Sequence, residues 1–206
     1  MEVAQIDNCI VQILLRKGGI REQGFEVKAQ EFALMPTSFH SDQQLLADDV
    51  HEMYAEVRHE EAALPYACMV VLFNHACWQD LALTPKSMPE IPIKCTCKAT
   101  AAWSISDAEC LNPLRDLHIY TAEFLRQRMK WRPGQKLTLL EVAATPYIDP
   151  VYVQNLQRYW GCFSWTSIDN KQLMSDQKAG AAIDARVFAA AQTKLRRVLQ
   201  GADQLF

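Results

Sequence analysis

Five soft metal ligands, Cys68, His75, Cys77, Cys95 and Cys97, fall within 30 consecutive residues of this chain. Thiolate sulfur and imidazole nitrogen are ligands that tetrahedral zinc takes. Cys68 and His75, seven apart, share a face if they lie on a helix; Cys95 and Cys97, two apart, share a face if they lie on a strand. Cys68, His75, Cys95 and Cys97 therefore form the candidate zinc set. Their competing role is packing, because a free cysteine in an apolar row behaves as a small hydrophobe. Glu56-x-x-His59 has the spacing with which helical bundles hold a di-iron centre, but such centres need the motif twice and it occurs once. Nucleophilic catalysis finds little support: there is no Gly-x-Ser-x-Gly turn, and His75 and Cys77 point to different faces of a helix. Neither glycine-rich phosphate loop, G-x-G-x-x-G or G-x-x-x-x-G-K, is present.

A third pattern could do hydrolytic chemistry. Asp7 is followed nineteen residues later by Glu26-Val-Lys28, across the Gly18-Gly19 break. Two carboxylates can hold Mg²⁺, and a lysine can position or activate an attacking water. The pattern resembles the Asp…Glu-x-Lys signature of the PD-(D/E)xK nucleases and covers residues 7 to 28. The resemblance implies Asp7 and Glu26 as metal ligands, Lys28 as the catalytic lysine, and a metal-dependent nuclease activity.

The element that must position most of these groups is Ile91–Ser106. Its odd positions, Ile91 to Ile105, are all apolar, and its even positions are nearly all polar. Such alternation makes a half-buried strand, with one face in the core and the other toward water or a partner. Ile6–Arg16 and 25–29 read as two further strands joined at Gly18-Gly19 in a hairpin. The rival reading is a short helix over 5–17 ended by Gly18. Ser41-Asp-Gln-Gln44 is a capping box opening an amphipathic helix, acidic outside through Asp48, Asp49, Glu52, Glu56, Glu60 and Glu61. Pro65 opens a second, mostly apolar helix over Tyr66–Leu83. Ser106-Asp-Ala-Glu109 is another capping box, predicting a helix to about Lys130, with Asn112-Pro113 as a rival start. A strand follows over Lys136–Ala144. Asp149-Pro150 reads as an N-cap with proline at the first helical position, opening a helix to about Tyr159. A short strand over Cys162–Ile168 and a last helix from about Asp176 to Gly201 complete the chain. The expected fold is α+β: one mixed sheet of about five strands, with an N-terminal hairpin and one long strand (about 91–105), covered by about five helices. Residues 1–206 are read as a single domain, with a subdivision conceivable near 85–90.

Composition narrows the function classes. Half of the 206 residues are hydrophobic and 22% are charged, so the chain has ample material for a core. The net charge is -3 and no Lys/Arg block occurs, which argues against direct nucleic-acid binding. Glu2 and Asp7 stand where a signal peptide would be basic. Seven irregularly spaced cysteines suit a reducing, cytoplasmic setting, and no apolar run is long enough to span a membrane. The favoured reading is a non-enzymatic interaction module: a subunit, adaptor or inhibitor of a cytoplasmic protein complex, such as one that handles nucleic acid. Its binding surfaces would be the polar row Lys94, Thr96, Lys98 and Thr100, the acidic face with Glu52, Glu56 and Glu60, and Trp160 and Trp165 from the aromatic cluster Tyr152–Trp165. The acidic face suits a basic or nucleic-acid-associated protein partner. No cofactor is expected on this reading; zinc or Mg²⁺ belongs to the alternatives.

Overall fold

A computed structural model describes residues 13–18, 22–34, 89–118, 120–159, 164–168 and 185–206. The segments expected as the acidic helix, the apolar helix over 66–83, and the start of the last helix lie outside these residues.

Two long strands organise the described part. Strand β1 (Ile13–Arg16) and β2 (Glu31–Ala33) flank β3 (Glu90–Ile105) and β4 (Leu137–Gln154), in the order β1-β4-β3-β2. Helix α1 (Ala122–Lys130) lies between β3 and β4 in sequence, α2 (Ala185–Val198) follows β4, and β5 (Asp203–Gln204) adds to β3 near Trp103. Every pairing in this sheet is antiparallel.

Leu137, Leu139, Leu140, Val142, Ile13, Leu14, Leu15, Ala101, Ala102 and Trp103 are all buried, so this end of the sheet is covered on both faces. Continuous apolar runs are what a doubly covered strand requires. The far end, β3 90–93 against β4 151–154, buries only one face. There Ile91, Ile93, Val151 and Val153 join Tyr147 and Tyr159 in a second, smaller core.

The alternation that marks β3 does not describe one face from end to end. Ala99 pairs with Val142, but Ala101 pairs with Glu141, the next residue of β4. Adjacent strand residues face opposite ways, so the irregularity between Ala99 and Ala101 moves the apolar row from one face to the other. Both rows stay buried because both faces are covered there.

Several expectations are corrected. The hairpin is absent: β1 pairs with β4 and β2 with β3, at opposite edges of the sheet, and 25–29 form no strand. Gly18 does take a positive φ of 88°, but the strands before and after it lie at opposite edges of the sheet. The single helix expected from Ser106 to Lys130 is two pieces. A 3-10 segment, Ala108–Leu117, is capped by Asp107, whose carboxylate accepts from the Glu109 N–H at 3.0 Å. Pro113 inside it opposes continuation as an α-helix. Extended His118 then breaks the run, and Thr121 caps α1 by accepting from the Phe124 N–H at 3.1 Å.

The helix expected over 150–159 is the end of β4, followed by a single 3-10 turn at Gln157–Tyr159. Asp149-Pro150 sits where the ladder skips between Pro146 and Val151, and a residue without an N–H is tolerated at such a bulge. The strand expected over 162–168 is not formed by 164–168; residues 162 and 163 lie outside the described set. Among the described residues the strands form one five-stranded sheet in which every pairing is antiparallel and no hairpin joins β1 to β2. The expected α+β architecture, a mixed sheet with an N-terminal hairpin under about five helices, is therefore not the one found. No helix among the described residues is long and apolar enough to cross a membrane.

Candidate functional site

Tyr152 stands on the uncovered face of the ribbon's far end. It pairs with Pro92, and the residues on either side of it, Val151 and Val153, are buried. Tyr152 is 56% exposed and Ile148, in the bulge beside it, is 50% exposed. Glu90 and Gln154, also paired and exposed, close the row. The face continues along β3 through Thr96, opposite Thr145, and Lys98, opposite Ala143. It is an apolar anchor with a polar surround, set on rigid strands.

Of the predicted row Lys94, Thr96, Lys98 and Thr100, the last three lie along this face, and they differ in availability. Thr96 is half-buried and shares a hydrogen bond with Tyr147, whose phenol burial pushes above its ordinary pKa. Lys98 is exposed and ion-paired at 3.4 Å with Glu31 across the β2 register, a contact that contributes little at such exposure. Thr100 is taken: its hydroxyl donates to Glu141 Oε1 at 2.6 Å. The side chain of Lys94 lies outside the described set.

Thr100 belongs to the most tightly satisfied polar group of the described residues. Glu141 is completely buried, and its carboxylate also accepts from Gln192 Nε2 at 2.6 Å. Arg196 donates to it through Nη2 at 2.7 Å and Nε at 3.2 Å. Gln192 and Arg196 are one turn apart on α2, so one helix face brings both donors to the strand. The hydrogen bond to Glu141 holds the Arg196 guanidinium above its ordinary pKa. This network fixes α2 over the sheet and closes that end of the polar row. Glu141 is a charged residue within an apolar strand run, and that interruption was its only signal in the sequence.

The other predicted residues divide in the same way. Trp165 is half-buried against Phe25 (5.7 Å, stacked) and Phe32 (5.1 Å, edge-on), with its indole N–H donating to the Glu26 carbonyl at 2.7 Å. It pins 164–168 to the segment before β2. Glu26 and Lys28 are exposed on that segment, which is not a strand. Their proposed partner Asp7 lies outside the described residues. So do Glu52, Glu56, Glu60, Trp160, Cys68 and His75. Cys95 and Cys97 are buried together on β3, and the Cys97 thiol is pushed well up, first by its hydrogen bond with Cys95 and then by burial. That environment disfavours the thiolate a metal would need. Among the described residues no three His, Cys, Asp or Glu side chains gather as a metal site.

A family model described as "Domain of unknown function (DUF1802)" matches residues 2–194, nearly the whole chain. The chain belongs to this family. Searches of curated proteins and of solved structures give no match. In this member of the DUF1802 family, Tyr152 is a residue that the sequence reading placed on a helix. The alternation Val151, Tyr152, Val153, Gln154 was the strand signal that would have exposed it.

Proposed function

We propose that this DUF1802 protein is a non-enzymatic interaction module of the cytoplasm, a subunit, adaptor or inhibitor that docks another protein on the Tyr152 face of the β3–β4 ribbon. The observation that carries the reading is an aromatic side chain more than half exposed on a sheet face whose reverse is a packed core. Tyrosine brings a large rigid contact area and a hydroxyl, and is enriched among residues that dominate binding energy. Pro92, paired with Tyr152, extends the apolar centre; Glu90, Gln154 and Lys98 supply a polar rim.

Docking by face, rather than by adding a strand, follows from the edges. β2 is three residues long and carries Glu31, and β4 beyond Val142 is interrupted by Pro146 and Pro150. Short, charged and proline-bearing edges resist strand addition. Free thiols at Cys95, Cys97 and Cys110 suit a reducing compartment.

The test is affinity capture by the full chain from its native cell. Tyr152→Ser is compared with Arg126→Ser, an exposed substitution on α1. Loss of the same captured protein in the first and retention in the second supports the reading. Equal capture by both removes it.

A further inference from the structure

The groups around Tyr152 are complementary to one chemistry. Glu90 stands two residues before Pro92 on β3, so it shares the face on which Pro92 is paired with Tyr152. Glu90 and Tyr152 are therefore diagonal neighbours across the ribbon, about 7–8 Å apart at the backbone and close enough for one long side chain to meet both. Gln154, paired with Glu90 and two residues after Tyr152, completes the corner. All three are exposed, and none of their side chains has an ion pair or ring contact with the described residues.

Elsewhere on the described surface such groups are taken. The exposed carboxylates of Glu31, Asp116, Glu123 and Asp203 hold Lys98, Lys194, Arg126 and Lys136 of the same chain. Phe25, Trp131 and Tyr159 each carry an arginine guanidinium over the ring, at 5.9, 4.8 and 5.2 Å. Glu90 lacks the first kind of partner, and Tyr152 beside it lacks the second. Both sit on paired strands, so no backbone has to be ordered before a cation can use them.

We propose that the corner made by Tyr152, Glu90 and Gln154 takes an arginine side chain of the docked protein. The guanidinium lies on the Tyr152 ring, donates to the Glu90 carboxylate through its fork, and gives a further N–H to the Gln154 carboxamide oxygen. Lysine is a compact, strongly hydrated point charge that cannot fork a carboxylate and stack on a ring together. Arginine and tyrosine are also the residues that dominate binding energy, and such residues pair across interfaces. This inference rests on the reading of the Tyr152 face as a docking surface and names the group that the surface selects.

The test probes an array of short random-sequence peptides with the labelled full-length protein. Peptides bound by the parent and lost by Tyr152→Ser should be enriched in arginine and not in lysine. For the strongest of them in solution, Glu90→Gln should weaken binding by about three- to tenfold. Tyr152→Leu keeps an apolar side chain without the ring and should weaken it by about two- to fivefold. Glu109→Gln, an exposed carboxylate beyond the opposite end of β3, should leave binding unchanged. Titration of the unsubstituted protein with acetyl-arginine amide, followed by amide chemical shifts, gives a readout free of the variants and should move residues 90–92 and 152–154 saturably. Peptides that need Tyr152 but show no arginine enrichment overturn the proposal and leave the docking surface standing. Equal binding by Glu90→Gln, or equal binding of lysine-for-arginine peptides, overturns it too. If no peptide needs Tyr152 the proposal falls, and capture from the native cell decides the surface separately.

Discussion

Removing Arg196 should unfold this protein more easily than its surface position suggests. The Arg196 side chain is about half exposed, whereas the Glu141 carboxylate it holds is fully buried. Arg196→Met keeps much of the aliphatic stem but takes two charge-assisted hydrogen bonds from that carboxylate. Stranding a buried charge costs about 3–5 kcal/mol when nothing else compensates it. Here Thr100 and Gln192 still donate, and water can reach the site from the Arg196 side, so about 2–3 kcal/mol is expected. With an m-value of about 2–3 kcal/mol/M, the urea midpoint should fall by about 1 M at unchanged m. Glu141→Gln provides the internal control. In the parent it loses a charge pair and should cost about 1 kcal/mol or more. In the Arg196→Met background it removes an unpaired buried charge and should be neutral or stabilising, a coupling of about 1–2 kcal/mol. Urea melts of the four proteins, followed by far-UV circular dichroism, measure this. Equal costs of Glu141→Gln in both backgrounds, or a midpoint change below about 0.2 M for Arg196→Met, would refute the reasoning.

Three further outcomes follow from the same packing. Burial lowers the His118 pKa, and neutral Nδ1 accepts the Tyr120 N–H at 3.2 Å. The unfolded chain then binds a proton that the native state refuses, so stability should be full above about pH 6.5 and fall as pH drops below it; His118→Gln should flatten that part of the pH–stability curve, measured by urea midpoints. Lys17→Met leaves two last-turn carbonyls of α1, those of Arg128 and Met129, without their donor and should cost about 1–3 kcal/mol, with faster amide exchange at the end of α1. Gly18→Ala forces a side chain to φ 88° with its Cβ 2.8 Å from the Gly24 carbonyl carbon, whereas a Cβ at Gly201 meets open space; the first should lower the thermal midpoint clearly more than the second.

What could be read from the sequence was local and periodic. The strand expected over 91–105 spans Glu90–Ile105, and the strand expected from Lys136 begins at Leu137, because long apolar alternation and apolar runs have few other solutions. The reversal of faces at Ala99–Ala101 was hidden: Ala99, Ala101 and Ala102 are small enough for either side of a doubly covered sheet. Asp149-Pro150 misled because proline at a helix start and proline at a bulge look alike without the pairing partner. The hairpin failed for the related reason that a glycine able to take a positive φ does not prescribe which strand comes next. Candidate sites were harder still. Thr100 looked like one of four equivalent outward residues until Glu141 claimed it across 41 residues of sequence, with Gln192 and Arg196 of α2 reaching the same carboxylate across 51 and 55. Tyr152 looked helical until its strand was known. The clamp of Lys17 onto the last turn of α1 spans 111 residues, which no spacing rule anticipates.

The central claim is that the Tyr152 face meets another protein, and site-specific photo-crosslinking in the native cell tests it most directly. A photoreactive phenylalanine analogue at position 152 should give a covalent adduct with one other protein, while the same analogue at exposed position 126 gives none. No adduct from 152, or the same adducts from both positions, would contradict the account.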